Sequence, residues 1–322
     1  MGIRGLNTFI KKVCPECITE NSITKYSGNV FGIDASILLY KYRHISNLDV
    51  TCVNAHIIGF INRILYYKKY NITPVFIFDG VPPEQKKITL KKRQAIKRKI
   101  YEKIELLQQL TPKTTDEEGE INKEIHKLST QIINVTKTHV DDVKSTLDLI
   151  GINYYEAPDE AEKYCVYLQN CGIIDYIVSD DTDVFTFGGT KVLKSSIKNN
   201  IVETDIKQFM IKINYDSKKF NDFCILSGCD YLPYVPSLAI NTVHTLFKKY
   251  DTIEDIIKLK KYIFTDEYDN LDVIRAIFTN YNYDTPLKLK NNNVNKDNLI
   301  IFLKEKNIKN YENIIEKFNT SN

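Results

Sequence analysis

The stretch IVSDDTD, residues 177–183, passes from an apolar run to three carboxylates within four residues. Close acids raise one another's pKa or push apart unless a cation sits among them. Two other apolar runs end alike: VFGI (30–33) meets Asp34, and PVFIF (74–78) meets Asp79. After YIVS (176–179) come Asp180, Asp181 and Asp183. A lone aspartate behind a strand is ordinarily a turn former or a helix cap. Acids behind three separate runs, with no Lys or Arg alternating among them, weaken that reading. Oxygen donors without His or Cys select a hard ion, Mg²⁺ or Mn²⁺. The usual chemistry of such a site is two-metal phosphodiester hydrolysis, the ions acidifying water and stabilising the attacking and leaving oxygens. In an extended chain, Asp181 and Asp183 face one side and Asp180 the other.

A further acidic stretch, EAPDEAE (156–162), is ambiguous. Asp159 and Glu162 fit a capping box with Pro158 just outside the helix. Glu160 and Glu162, two residues apart, lie about 200° apart around a helix and face one ligand only at its first turn.

The elements that would position these acids follow from the pattern of apolar residues. The three runs read as buried parallel strands, separated by helical stretches at 55–70, 140–149 and 161–169. This alternation predicts an α/β fold with a mainly parallel sheet, whose carboxyl edge is where ligands bind. Residues 86–138 interrupt it with a polar, basic helix over 86–110, a break at TPKTTDEEGE (111–120) and a second helix over 121–137, an inserted helical hairpin or arch. After residue 194 the pattern is mostly helical, at 206–213, 220–227, 239–249 and 253–259. The Asn-rich 291–298 forms a loop before a last helical pair ending near 318. There are no internal repeats, and the chain reads as a single domain over 1–322.

From 86 to 99 (KKITLKKRQAIKRK), eight of fourteen residues are Lys or Arg and none is acidic. A solvated face is the commoner origin of a charge run, but a one-signed helix near an acidic site suits a polyanion, and nucleic acid is the natural candidate. Tyr40, six residues past Asp34, offers a ring for a base to stack on, or is a core tyrosine.

Composition sets the remaining bounds. The 322 residues are 43% hydrophobic and 26% charged, with a net charge of +3. That is a globular composition, and the charge alone implies no nucleic-acid partner. No run nears the roughly 18 apolar residues of a membrane span, and no signal peptide is seen. MGIRGL starts like a myristoylation site but has Leu6 where Ser or Thr is required. Seven scattered cysteines fit reduced thiols inside a cell. Cys14 and Cys17 have zinc-knuckle spacing, without the second pair that completes four ligands. The expected location is nucleus, cytoplasm or, for a virus-encoded protein, the viral replication site.

Taken together, these stretches resemble the flap endonuclease family of structure-specific 5′ nucleases (XPG-type). The motifs run nearly end to end: MGIRGL, GIDAS around Asp34, FIFDGVPPEQK around Asp79, and the basic helix through Arg93. VTKTHVDDVKSTLDLIGINYYEAPDEAEKYCVYL, SDDTDVFTFG and FCILSGCDYLP around Asp230 follow. The resemblance implies a PIN-like nuclease core with a mainly parallel twisted sheet flanked by helices, an inserted helical arch and a helical C-terminal part. It divides the chain into an N-terminal nuclease motif (1–100), the arch (86–138) and an internal nuclease motif (139–235). A helix–two-turn–helix-like DNA-binding segment (220–260) and C-terminal helices (285–322) complete it.

The same resemblance implies that Asp34, Asp79, Glu160, Glu162, Asp181, Asp183 and Asp230 hold two Mg²⁺ ions, which Mn²⁺ can replace. Lys86 and Arg93 would contact the scissile phosphate, Tyr40 would stack on the substrate, and Gly2 would pack beside the active site. Lys87, Lys91, Lys92, Lys97, Arg98 and Lys137 are the further DNA-contacting candidates, and Asp181 joins Lys86 and Arg93 as a catalytic one. Two departures stand out. Residues 231–250 hold no glycine, where the family has a Gly-rich segment gripping the duplex and a K⁺ ion, so both functions stay open. The chain ends at KFNTSN without a sliding-clamp peptide or basic tail, as expected of a free-standing, monomeric, virus-type enzyme.

The expected function is Mg²⁺-dependent cutting of 5′ flaps, or resection of 5′ ends, in branched DNA during replication, repair or recombination. FIFDG also resembles a haloacid-dehalogenase-like phosphatase, but Val81 stands where that chemistry wants a second acid or Thr. A catalytically inactive junction-binding scaffold would be expected to lose acids, and all seven positions are filled. A PIN-type ribonuclease lacks the arch.

Overall fold

The computed structural model describes residues 2–49, 52–112, 114–195, 200–286, 288–290 and 293–320. The chain divides into two compact units, each built from three separated segments. The first comprises Met1–Ala35, Tyr67–Ile88 and Asn153–Lys290; the second comprises Ser36–Tyr66, Thr89–Ile152 and Asn291–Asn322.

Among the described residues, the first unit carries seven strands in one sheet. They are β1 (Ile18–Ser22), β2 (Val30–Asp34), β3 (Thr73–Phe78), β4 (Tyr154–Glu156), β5 (Tyr176–Val178), β6 (Lys191–Ser195) and β7 (Asn200–Asp205). Their order is β1-β7-β6-β5-β2-β3-β4. The five strands from β6 to β4 run parallel, and β7 and β1 add an antiparallel margin. The three apolar runs are therefore neighbours, as β5-β2-β3. Nearly every side chain of β2 and β3 is buried, as a parallel sheet covered on both faces requires.

The sequence reading missed the other four strands. β1 is the polar ITENS, largely exposed and paired with β7; β4 has three residues. The region after residue 194, read as mostly helical, includes β7 and a further helix, Leu271–Thr279. Helix Leu6–Val13 ends at Cys14, and the single turn Pro15–Cys17 brings Cys17 back to it as a disulfide. The expectation of seven reduced thiols is thus corrected, since the turn seats both sulfurs side by side in the core. Phe9 from this helix packs against Phe209, Phe223 and His244.

The second unit is helical among its described residues. Most of helices Ala35–Leu48, Ala55–Lys69 and Lys87–Gln108 lie in it, with Thr115–Ser129, Lys137–Ile150, Lys296–Glu305 and Tyr311–Thr320. The break after the basic helix is shorter than expected. Thr114 caps a helix at once, its hydroxyl accepting from the Glu117 amide, and Asp116, Glu117 and Glu118 fill a first turn that favours negative charge. That helix stops at Ser129 rather than 137, and Thr136 with His139 forms a capping box for the next. No described helix is long and apolar enough to cross a membrane.

Candidate functional site

The carboxyl ends of β2, β3 and β5 deliver the first acids. Asp34 closes β2 opposite Ile77 of β3, and Ile33 lies opposite Val178, the last residue of β5. Asp79 and the turn at 179–183 therefore begin at the same edge of the sheet. Asp34, Asp181 and Asp183 are buried, at 3%, 6% and 3% exposure, while Asp180 is exposed.

The pairing of Asp181 with Asp183 has a different origin from strand alternation. The Asp181 amide donates to the Ser179 hydroxyl at 3.0 Å, and the Asp183 amide donates to the Asp181 carboxylate at 3.1 Å. Asp183 opens the single helical turn Asp183–Thr186. A hydrogen-bonded turn, not an extended chain, gathers the two acids. Gly2 backs this turn at φ +81°, where a Cβ would overlap the Asp181 carboxylate and crowd Thr182 and the Asp183 amide. Glycine is the residue that meets both demands.

The expected capping box at 159–162 does not form. Glu160 is the N-cap of helix Ala161–Asn170, extended at φ −97° and ψ 137°, with no side-chain cap bond. The Ala161 amide donates instead to the Asp79 carboxylate at 2.9 Å. Because Glu160 stands outside the helix, the angular separation that would part it from Glu162 does not apply. Glu162 is pushed well above the usual carboxylate range by burial first, then by the charges of Asp34, Asp181 and Asp79.

Asp230 lies two residues beyond helix Ser217–Gly228. Lys86, from the turn Glu84–Lys86, pairs with Glu160 and stands 3.9 Å from Asp230. Burial pulls the Lys86 ammonium down, but Glu160, Asp230 and Glu162 outweigh it and hold the pKa above its ordinary range. Asp183 is pushed well above its ordinary range by burial first, then by Asp181 and Asp230, against the pull of Lys86. Tyr231, which the sequence reading assigned no role, is buried and donates its hydroxyl to Glu160. Its place directly after Asp230 in GCDYLP is the only signal that marked it.

The seven acids, Lys86 and Gly2 thus belong to one unit and its one sheet edge. Their donor chemistry fits a hard divalent ion. Every donor is a carboxylate oxygen, and the Asp183 Oδ1 is buried without a hydrogen-bond partner. Among the described residues, no group of three or more His, Cys, Asp or Glu side chains already stands in ligating geometry.

The remaining candidates lie on helices of the second unit, apart from Lys87. Tyr40 is 47% exposed, which sets aside its reading as a core residue. Lys91, Lys92, Arg93, Arg98 and Lys137 are exposed. Lys97 donates its ammonium to the Ile133 carbonyl at 2.8 Å, and Arg98 pairs with Glu102 at 2.8 Å. Lys87, in the first unit, pairs with Glu84 at 2.5 Å. In the glycine-free stretch, Ser237 takes the left-handed conformation at φ 69°, just before helix Ile240–Phe247.

Comparison with known proteins places these features. Residues 1–100 match the XPG N-terminal domain and residues 151–230 the XPG I-region. Flap endonuclease 1 of Glossina morsitans morsitans is 31% identical over 320 residues, covering 94% of this chain and 81% of that protein. Flap endonuclease 1 of Theileria parva is 32% identical over 290 residues, covering 86% of this chain. The chain spans 56% of that protein's length. Among solved structures, the catalytic core of Rad2 in complex with DNA substrate aligns with TM-score 0.74 at 20% identity, covering 98% of this chain and 99% of that one. At that identity the likeness establishes the fold.

Proposed function

The chain belongs to the flap endonuclease family of XPG-type nucleases, and from that membership we propose a metal-dependent, structure-specific 5′ nuclease that cuts 5′ flaps or resects 5′ ends of branched DNA. The observation that carries this reading is the gathering of strand-end acids from β2, β3 and β5 with Glu160, Glu162 and Asp230 at one sheet edge. Asp34, Asp79, Glu160, Glu162, Asp181, Asp183 and Asp230 would hold two Mg²⁺ ions, or Mn²⁺ in their place. When bound, such ions acidify the attacking water and neutralise the charge that builds during in-line displacement.

The chain's own residues would do the rest. Lys86 is kept charged among the acids, so its ammonium is available to a phosphate once Glu160 and Asp230 have other counter-charges. Arg93, exposed on the basic helix, offers a planar donor fork for a phosphate. Gly2 keeps the backbone tight against Asp181. Tyr40 presents an accessible ring face to a base. Lys87, Lys91, Lys92, Arg98 and Lys137 supply positive charge for a sugar-phosphate backbone, and Lys97 would first have to leave the Ile133 carbonyl.

The deciding experiment incubates a 5′-labelled flap, a nicked duplex and a single strand with the protein, in Mg²⁺ or in EDTA. Cutting near the flap junction should require Mg²⁺ and vanish in Asp181→Ala. Equal activity in EDTA, or an active Asp181→Ala, sinks the reading.

A further inference from the structure

Asp159 is not among the expected ligands, yet it joins the turns that carry Asp79 and Glu160. Its backbone carbonyl accepts the Gly80 amide at 2.7 Å, and the Pro158 carbonyl accepts the Val81 amide at 3.2 Å. Gly80 lies so close that a Cβ would overlap the Ala157 carbonyl and crowd Pro158. The Asp159 carboxylate in turn accepts the Glu160 amide at 2.8 Å. That bond fixes the backbone of the extended residue whose own carboxylate meets Lys86 and Tyr231.

Two side chains orient the Asp159 carboxylate. Lys163, one helical turn on, donates to Oδ2 at 3.0 Å. The Tyr283 hydroxyl donates to Oδ1 at 2.5 Å, the same oxygen that receives the Glu160 amide. Tyr283 comes from the segment after helix Leu271–Thr279, more than a hundred residues downstream. Its ring packs on Tyr164 and Tyr167, with centroids 5.2 and 5.1 Å away, and the Tyr167 hydroxyl donates to the Asp284 carbonyl at 3.1 Å. Burial, and then the Asp159 carboxylate, push the Tyr283 phenol above its ordinary range, so it remains protonated and a donor.

We propose that Tyr283 is a positioning residue for the divalent-ion site, acting through Asp159 to set the Glu160 carboxylate. The inference rests on the metal-dependent reading above. A carboxylate that must share an ion with like-charged neighbours has to be held in place before the ion arrives. Groups one bond removed from the ligands do that holding, and their loss typically lowers metal affinity about 10- to 100-fold. Without the Tyr283 hydroxyl, the Asp159 carboxylate loses one of the two side-chain donors that fix its rotation, and the Glu160 amide is left bonded to a less firmly held acceptor.

The test measures Mn²⁺ binding by calorimetry in the DNA-free, full-length protein, with thermal unfolding followed in EDTA. Tyr283→Phe should bind Mn²⁺ about tenfold more weakly, with an unchanged unfolding midpoint. In flap cleavage it should need about tenfold more Mg²⁺ for half-maximal rate, at unchanged KM for the flap. Lys163→Met, which removes the other donor, should shift Mn²⁺ affinity in the same direction. Unchanged Mn²⁺ affinity in Tyr283→Phe overturns the inference, as does weaker binding that only follows a lower unfolding midpoint. If the wild-type protein binds Mn²⁺ and cuts flaps while Tyr283→Phe is undisturbed, the positioning role alone falls. A wild-type protein that binds no Mn²⁺ overturns both.

Discussion

The Asp79 carboxylate, delivered by β3, accepts the backbone amide of Ala161 at 2.9 Å and so caps the helix bearing Glu162. One side chain is at once a candidate ligand and the cap of the element that carries others. Its two roles separate by substitution. Asp79→Asn keeps an oxygen for the Ala161 amide but loses the charge, whereas Asp79→Ala loses both. In EDTA, chemical denaturation should therefore find Asp79→Asn close to wild type and Asp79→Ala destabilised by about 1 kcal/mol. Both should lose Mn²⁺ affinity. Equal stability of the two variants in EDTA would argue that the cap carries no weight.

Gly2 and Asp181 form a second such contact, in which backbone replaces side chain. A methyl group at residue 2 would overlap the Asp181 carboxylate, and φ +81° is itself unfavourable for alanine. Gly2→Ala is expected to lower Mn²⁺ affinity and flap cleavage at least tenfold, by analogy with the loss of groups that hold ligands in place. It should leave the far-ultraviolet circular dichroism unchanged, because the sheet does not depend on residue 2. Wild-type metal affinity in this variant would show that the turn at 179–183 can shift without harm.

How much of this was legible in the sequence follows from what each element depends on. β2, β3 and β5 bury apolar side chains on both faces, and that requirement is written in the runs VFGI, PVFIF and YIVS. β1 is polar and pairs with β7, and a partner such as Val202 for Glu20, 182 residues away, leaves no local pattern. The strand-end acids Asp34, Asp79, Asp181 and Asp183 were legible by type and position, whereas Glu160 and Glu162 were ambiguous and Asp230 entered only through the family resemblance. The geometry of the acids was not legible: Glu160 and Glu162 converge because a distant aspartate takes the cap, and Asp181 meets Asp183 through a turn. Tyr283 shows the limit most plainly. Nothing around residue 283 announces a bond to Asp159, which only the folded chain supplies.

Ser237 offers a test independent of metal. It is exposed, and it holds φ 69° in the turn before helix Ile240–Phe247. A non-glycine residue in that region costs roughly 1–2 kcal/mol, part of which glycine returns through the greater freedom of its unfolded chain. Ser237→Gly should accordingly stabilise the protein by about 0.5–1 kcal/mol in urea titration, raising the midpoint with an unchanged slope. A neutral or destabilising result would mean that the serine side chain makes a compensating contribution.

His56 in the second unit predicts how stability responds to acid. Its ring is buried, with Nε2 3.4 Å from the Asp142 carboxylate and its centroid 4.9 Å from that of His139. Burial first, then His139 and Arg43, pull its pKa down to about 4, against the opposing pull of Asp142. The unfolded chain titrates this imidazole near 6.5, so between that value and about 4 the unfolded state binds the extra proton. Stability from this site is therefore fully present above pH 6.5 and declines as pH falls through the window, by about 1–3 kcal/mol in all. Urea titrations at pH 7.5, 6 and 5 should show the decline in wild type and a flatter profile in His56→Gln, which does not titrate there. A wild-type profile as flat as the variant's would mean that His56 protonates as readily folded as unfolded.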